Sequence, residues 1–399
     1  MSFKHSFSAI VVPFAVFAAL FAIFPRPPLH ASACCAGFGD FGLDGRWISN
    51  APKPEEVLTV TVENAATPAT RAFFSDINKA FGKAWVAKTN CNLVLSGAHG
   101  PAFAHLRSVL GGGSAPDIVA FDSPEAVDSL AAAGHLPANW RTRLPNGSVP
   151  FYTTFVFLVR KGNPKGVRGW GDLFRPDVAL VLPDPRHSSV GQWAYLAAWA
   201  DALGRAGGVG KAREAVFAFY KNAVSLHGSA DGAAEAFLRG GAGDVLVLLE
   251  CEEFARRAGG EITSAFETVS PPTGLRVEYP VAWLDKSTGG HGTTRVSASL
   301  LMYLFETEAQ EVAARHHLRP FDPGVAQKHA AAFAPIRLAG LEKVFGDWAS
   351  VQKRFFAAGS ELDRDYPRLV AREVWLPPRP AIHRRPAPAP APSTPPSAP

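Results

Sequence analysis

Three segments of this chain place hydroxyls and small residues where a β-like run gives way to a helical pattern. They are Pro183-Asp-Pro-Arg-His-Ser188-Ser189, His227-Gly228-Ser229-Ala230-Asp231-Gly232 and Ala98-His99-Gly100-Pro101-Ala102. A helix N-terminus carries unpaired N–H groups and a partial positive charge, so the chemistry on offer at such a place is capture of an anion. Ser188 and Ser189 stand at the mouth of one helix, and the small residues around Ala230 let the backbone approach a ligand. Capping alone also selects Ser and Gly at helix starts, so a single junction of this kind identifies only a helix. The repetition is what points to a shared site.

Catalytic and metal chemistry finds less support. The chain has 12 histidines, but His316 and His317 are adjacent, so on a helix they diverge and do not form the i, i+4 pair a metal prefers. Packing is the expected role of that pair, and a structural hydrogen bond the expected role of His99. No G-x-S-x-G, H-E-x-x-H or Walker motif occurs. Gly37-Phe-Gly-Asp-Phe-Gly42 is a literal G-x-G-x-x-G, but no strand precedes it and no helix follows, so it reads as a connector. Glu250, Glu252 and Glu253 follow a β-like run and read as a solvated helix start. Cys91 and Cys251 could pair in an oxidising compartment, a question the sequence leaves open. The expectation is a non-enzyme without metal or cofactor.

The elements that must hold the junctions alternate along the body of the chain. Val57–Val62, Leu93–Leu95, Asp117–Phe121, Phe155–Val159, Val178–Leu182 and Asp244–Leu249 read as strands. Thr67-Pro68 reads as an N-cap followed by proline at the first helical position, opening a helix to about Lys88. Further helices are expected over 101–110, 124–133, 188–203, 210–220 and 230–238. Such alternation predicts an α/β architecture with largely parallel sheets, whose ligands lie beyond the carboxyl ends of the strands.

Composition agrees. With 399 residues, 47% apolar and 19% charged, the chain can bury two domain-sized cores. A net charge of +5 without a basic, aromatic-interleaved stripe argues against nucleic-acid binding. The N-terminus carries a short basic region, an apolar run from Ala9 to Phe24 and an A-x-A at 31–33, the pattern of an export signal. Cys34 follows directly, which leaves anchoring or lipidation there open. Pro377–Pro399 is dominated by Pro and Ala and reads as an extended spacer or docking tail.

Several blocks carry a more specific likeness: Asp76-Ile-Asn-Lys-Ala-Phe81, Tyr152-Thr-Thr-Phe-Val-Phe-Leu-Val-Arg-Lys-Gly-Asn-Pro-Lys165, Trp193-Ala-Tyr-Leu-Ala-Ala-Trp199, Gly243-Asp-Val-Leu246 and Val344-Phe-Gly-Asp-Trp348. In these, in order over roughly residues 56–360, the chain resembles the periplasmic sulfate-binding proteins that feed ABC importers. The resemblance implies a two-lobed, type II periplasmic-binding-protein fold with the ligand cleft between lobes. The chain would cross between lobes near Phe151–Phe155 and return near Pro280–Trp283. The implied organisation is a signal peptide (1–33), a linker (34–55), lobe I (56–152), lobe II (153–279), a return to lobe I with C-terminal helices (280–366) and a disordered tail (367–399). The implied partners are sulfate or a similar oxyanion and the permease subunits of the transporter, with the protein itself monomeric and periplasmic.

Residue by residue the carry-over is uneven. Ser188 matches the family's binding serine and Ala230 the alanine whose backbone N–H faces the anion. Ser189 and Val190 stand where the family has two glycines, Ala102 where it has a loop serine, Leu249 where it has a cleft tryptophan, Asp231 where it has an arginine, and Pro68 where it has an acidic residue. The expected donors are therefore Ser188, Ser189, Val190 and Ala230, the last two through backbone N–H, with Thr67, His99, Gly100, Ala102 and Ser229 around them. The alternative is a divergent relative that no longer binds sulfate and acts as an interaction or sensing module, or binds another small anion.

Overall fold

β-Branched runs followed by capped helices generate two sheets joined by short crossing strands. The computed structural model describes residues 59–370. The expected signal, linker, Gly37–Gly42 segment, Cys34 and the tail beyond residue 370 lie outside the described residues, while residues 367–370, expected in a disordered tail, instead end a helix (Glu361–Val370). Strand β1 (Thr59–Ala66) leads through a single 3-10 turn (Pro68–Thr70) into α1 (Arg71–Thr89), β2 (Asn92–His99), α2 (Ala102–Leu110), β3 (Ile118–Ala120) and α3 (Pro124–Ala132). β1 pairs in parallel with both β2 and β3.

Crossing to the second lobe, β4 (Phe151–Thr153) and β5 (Phe155–Arg160) are separated by Thr154 alone. There follow β6 (Leu180–Pro183), α4 (Ser189–Ala206), α5 (Val209–Lys221), β7 (Ala223–His227), α6 (Ala230–Leu238), β8 (Val245–Leu249), α7 (Glu250–Ala258) and β9 (Phe266–Val269). The second sheet has the order β7-β6-β8-β5-β9. The chain then passes β10 (Thr273–Leu275) and β11 (Val277–Glu278), and returns to the first sheet as β12 (Val281–Trp283), beside β3. β11 runs antiparallel to β4, so the outgoing and returning crossings lie side by side. Thr154 Oγ1 donates to Leu275 O across them at 3.0 Å.

The expectation of largely parallel sheets is corrected. β5 is antiparallel to β8 and β9, and β12 to β3. The reason is connectivity: helical crossovers return the chain to run parallel, whereas β5 and β12 enter their sheets directly from the other lobe.

One apolar cluster runs from Phe73 and Ile77 of the first lobe through Phe151 and Phe155 into the second. In the second, α4 is buried on most of its circumference, with Trp193, Tyr195, Leu196 and Trp199 all at 3% exposure or less. A helix apolar all round must be covered on every side. The C-terminal segment supplies part of that cover. Trp348 lies 5.1 Å from Trp193, Phe355 lies 5.3 Å from Trp199, and Asp365 pairs with Arg213 at 3.0 Å. Tyr366 donates to Asp184 at 2.6 Å, and Gln352 reaches Glu125 of the first lobe at 2.7 Å, so this segment touches both lobes.

Candidate functional site

Five strand-to-helix junctions and the start of α7 converge on one small cavity between the lobes. On the second-lobe side, Ser188 has extended backbone angles (φ −131°, ψ 128°) and its Oγ accepts from Gly191 N at 3.3 Å. Ser229 does the same for α6, accepting from Gly232 N at 3.1 Å. With those caps made, the remaining first-turn N–H groups, those of Ser189, Val190, Ala230 and Asp231, have no acceptor within their helices. Gly191 permits this approach. A Cβ there would lie 2.5 Å from the Asp184 carbonyl carbon, so α4 can start against the β6 loop only without a side chain.

The first-lobe side is built differently. Thr67, expected as an N-cap, makes no cap bond, because the 3-10 turn intervenes before α1. Its Oγ1 is buried and has no partner. Pro68 and Pro101 offer no N–H, and Pro101 as N-cap of α2 makes no side-chain bond. Beside them lies Asp122, at the end of β3. Its Oδ1 accepts from Ser189 Oγ at 2.7 Å and its carbonyl from Trp193 Nε1 at 2.6 Å, both across the cleft.

The cavity measures about 30 Å³. Thr67, Pro68, Pro101 and Asp122 line it from the first lobe, and Ser188, Ser189, Val190, Ser229, Ala230, Asp231 and Glu252 from the second. Pockets for drug-sized ligands run to roughly 300–1,000 Å³, so this one suits a compact ion. A wider groove of about 610 Å³ lies alongside, with Arg107, Arg186, His187 and Glu125 on its walls.

Of the nine residues singled out in the sequence, Ser188, Ser189, Val190, Ala230, Thr67 and Ser229 line the cavity; His99, Gly100 and Ala102 do not. Ala102 is fully buried, within an apolar cluster with Val119, Phe121 and Leu130. Gly100 N donates to Ala66 O at 3.0 Å. His99 is hydrogen-bonded to the Thr67 backbone, and burial lowers its pKa below the usual histidine range. Leu249 is buried at the end of β8.

Two lining residues escaped the sequence reading. Asp122 is 3% exposed and Glu252 8%. Burial pushes the Asp122 carboxyl up to about 6, against the Ser189 hydrogen bond. Burial likewise pushes Glu252 to about 7; Arg256 opposes the rise, while Asp231 and Asp122 add to it. A signal for Asp122 existed: Asp122-Ser123-Pro124 is a fourth strand-to-helix junction, with Ser123 capping α3 at 3.2 Å.

The expectation of a solvated Glu250–Glu253 start is corrected as well. β8 delivers the first turn of α7 into the interior, where Glu250 forms a two-pronged pair with Arg319 at 2.7 and 2.8 Å. The possible Cys91–Cys251 pairing is also set aside: Cys91 is disulfide-bonded and Cys251 carries a free, buried thiol, so they are not partners. His316 bonds Asp76 at 2.9 Å and His317 stacks on Phe254 at 3.7 Å. Among the described residues no group of three or more His, Cys, Asp or Glu side chains is placed to hold a metal, and no helix is long and apolar enough to cross a membrane.

Known proteins share this plan. The chain is 38% identical over 303 residues to a sulfate-binding protein of Escherichia coli K12, an overlap of 75% of this chain and 91% of the relative. It is 37% identical over 306 residues to a thiosulfate-binding protein of Pseudomonas aeruginosa, covering 76% and 91%. In structure it resembles the sulfate-binding protein SubI of Mycobacterium tuberculosis H37Rv, with a TM-score of 0.65 and 26% identity over 75% of this chain and all of that one. By name these relatives are binding proteins, and the chain itself has the α/β, two-lobed fold of type II periplasmic binding proteins. Residues 62–319, which supply every wall of the cavity, match the family described as bacterial extracellular solute-binding protein, and to that family the chain belongs.

Proposed function

We propose that the protein captures sulfate, or a related sulfur oxyanion such as thiosulfate, and hands it to the membrane permease of an ABC importer. One observation carries the reading: the N-termini of α4 and α6, each capped by a serine, meet at an ion-sized cavity between two lobes. Burying an anion without water is costly unless donors surround it, and convergent helix N-termini supply them. The named relatives bind sulfate and thiosulfate, which favours that ligand class. Ser188, through its hydroxyl, and Val190 and Ala230, through backbone N–H, are the proposed donors, with Thr67 Oγ1 as the first lobe's contribution. Export by the N-terminal signal and action as a monomer complete the reading.

A ligand that binds only the folded protein raises its melting temperature with occupancy. Purified protein is therefore expected to melt higher with sulfate or thiosulfate, but not with chloride at equal ionic strength. If neither sulfur oxyanion moves the melting curve or gives heat in calorimetry, the reading fails, and a module whose lobes are held by protein contacts takes its place. The Ser189–Asp122 and Trp193–Asp122 bonds across the cleft are the observation that favours this second reading.

A further inference from the structure

Three acidic residues line the anion cavity of the proposed function; Asp231 is exposed and paired with Arg256, which leaves two buried carboxyl groups that a fully ionised ligand cannot use. Asp122 enters from the first lobe and Glu252 from the second. A carboxylate only accepts hydrogen bonds, and so does every oxygen of sulfate, so the two would face each other without a proton between them. The protein does little to neutralise the pair. Arg256 is the cation that faces Glu252, but it is bonded to Asp231 and Glu261. Glu250, next along α7, is matched by Arg319. The remaining neighbours, the Cys251 thiol and the Tyr279 hydroxyl, stay neutral. The Ser189 hydroxyl hydrogen goes to Asp122, leaving only the Ser189 backbone N–H for a ligand. Glu252 Oε2 and Thr67 Oγ1 are both buried, line the cavity and have no partner. An unpartnered buried oxygen on each side of an ion-sized space is what a ligand carrying or sharing a proton would satisfy.

We propose that this cavity takes up a tetrahedral oxyanion together with one proton, held by the Asp122–Glu252 pair, so that these two carboxyls decide which anions bind and at what pH. The inference rests on the anion-capture reading above. The proton has two possible sources. For sulfate or thiosulfate it comes from solvent: one carboxylate and one free proton become a carboxylic acid, whose O–H donates to an anion oxygen. For a monohydrogen anion such as hydrogen phosphate it arrives on the ligand, whose own O–H donates to the carboxylate. The raised proton affinity of both groups, to about 6 and about 7, places the change within reach of ordinary buffers. The two sites interact, so they titrate as a pair.

The test is calorimetry on the full chain with sodium sulfate and, separately, sodium phosphate, between pH 5.5 and 8, in two buffers of different protonation enthalpy. Sulfate affinity is expected to be flat below about pH 6 and to fall roughly tenfold per pH unit above about 7, with close to one proton taken up per anion at pH 8. Phosphate, if it brings the proton, binds at pH 8 with none taken up; if only sulfate binds, solvent is the source. Asp122→Asn and Glu252→Gln imitate the protonated acids, and at least one is expected to hold sulfate equally well at both ends of the range. The wild-type proton count decides the matter even if a variant fails to fold. Sulfate binding that is independent of pH and takes up no proton overturns this inference and leaves the anion reading standing. Failure of every anion at every pH overturns both.

Discussion

Ser188 and Ser229, on the second lobe's wall of the cleft, cap their helices and leave free N–H groups facing the cavity, while on the first lobe's wall Pro68 and Pro101 occupy the equivalent places and Asp122 projects an acceptor. Both walls are strand-to-helix junctions, so topology alone does not make an anion site. One wall presents donors; the other presents a carboxyl that bonds the opposite lobe directly. On the proposed reading the second lobe seats the anion, and the first governs selectivity and closure.

The comparison can be broken most severely at Gly191. Replacing it with Val drives a side chain into the Asp184 backbone and pushes α4 out of position. The expected loss is above about 3 kcal/mol of stability, together with all anion binding, read by thermal melts and calorimetry. A nearly unchanged melting temperature would show that the donor wall does not depend on this close approach.

Next in size is the pH response of the acidic wall. Folding raises the Asp122 carboxyl from the ordinary 3.8 to about 6, so the native protein holds a proton that the unfolded chain has lost. The associated stability is fully present below about pH 4 and is lost as pH rises through about 6, an effect on the order of 3 kcal/mol. Asp122→Asn is expected to flatten that decline in denaturant titrations at pH 4.5 and 7.5. An unchanged slope would move the effect elsewhere.

Smaller changes sharpen the contrast. Ser188→Ala removes one hydroxyl from the donor wall and is expected to cost about 1–3 kcal/mol of anion affinity, roughly five- to 150-fold. In the first lobe, Ala102→Ser adds a hydroxyl at the position that the sequence likeness equates with a family serine, yet Ala102 lies off the cavity, packed among apolar side chains. It is therefore expected to leave affinity within about twofold and only lower stability, by about 1–3 kcal/mol. A clear gain in sulfate affinity would mean that the serine reaches the cavity after all.

Much of the fold was legible because each junction is written locally. The Ala230–Leu238 helix begins directly after Ser229 and Gly228, and the hydroxyls of Ser188 and Ser189 marked the mouth of α4 in the same way. What stayed hidden is long-range. Asp122 meets Ser189 across 67 residues of chain and from the opposite lobe, and no local pattern encodes that approach. Glu252 looked like a surface residue because acidic side chains favour exposed helix starts; its burial follows from where β8 ends, not from its neighbours in sequence. Ala102 misled for the converse reason. The sequence likeness set it beside the expected donors, but its side chain is buried in the core.

The central claim, that an oxyanion is seated between the lobes on the N-termini of α4 and α6, is tested most directly by diffraction from crystals of the protein grown with selenate at pH 5.5. The account predicts an anomalous selenium peak within hydrogen-bond reach of Ser188 Oγ and the N–H groups of Val190 and Ala230, with Thr67 Oγ1 on its other side. A peak only in the wider groove beside Arg107 and Arg186, or a cavity that holds water while selenate is present, would contradict it.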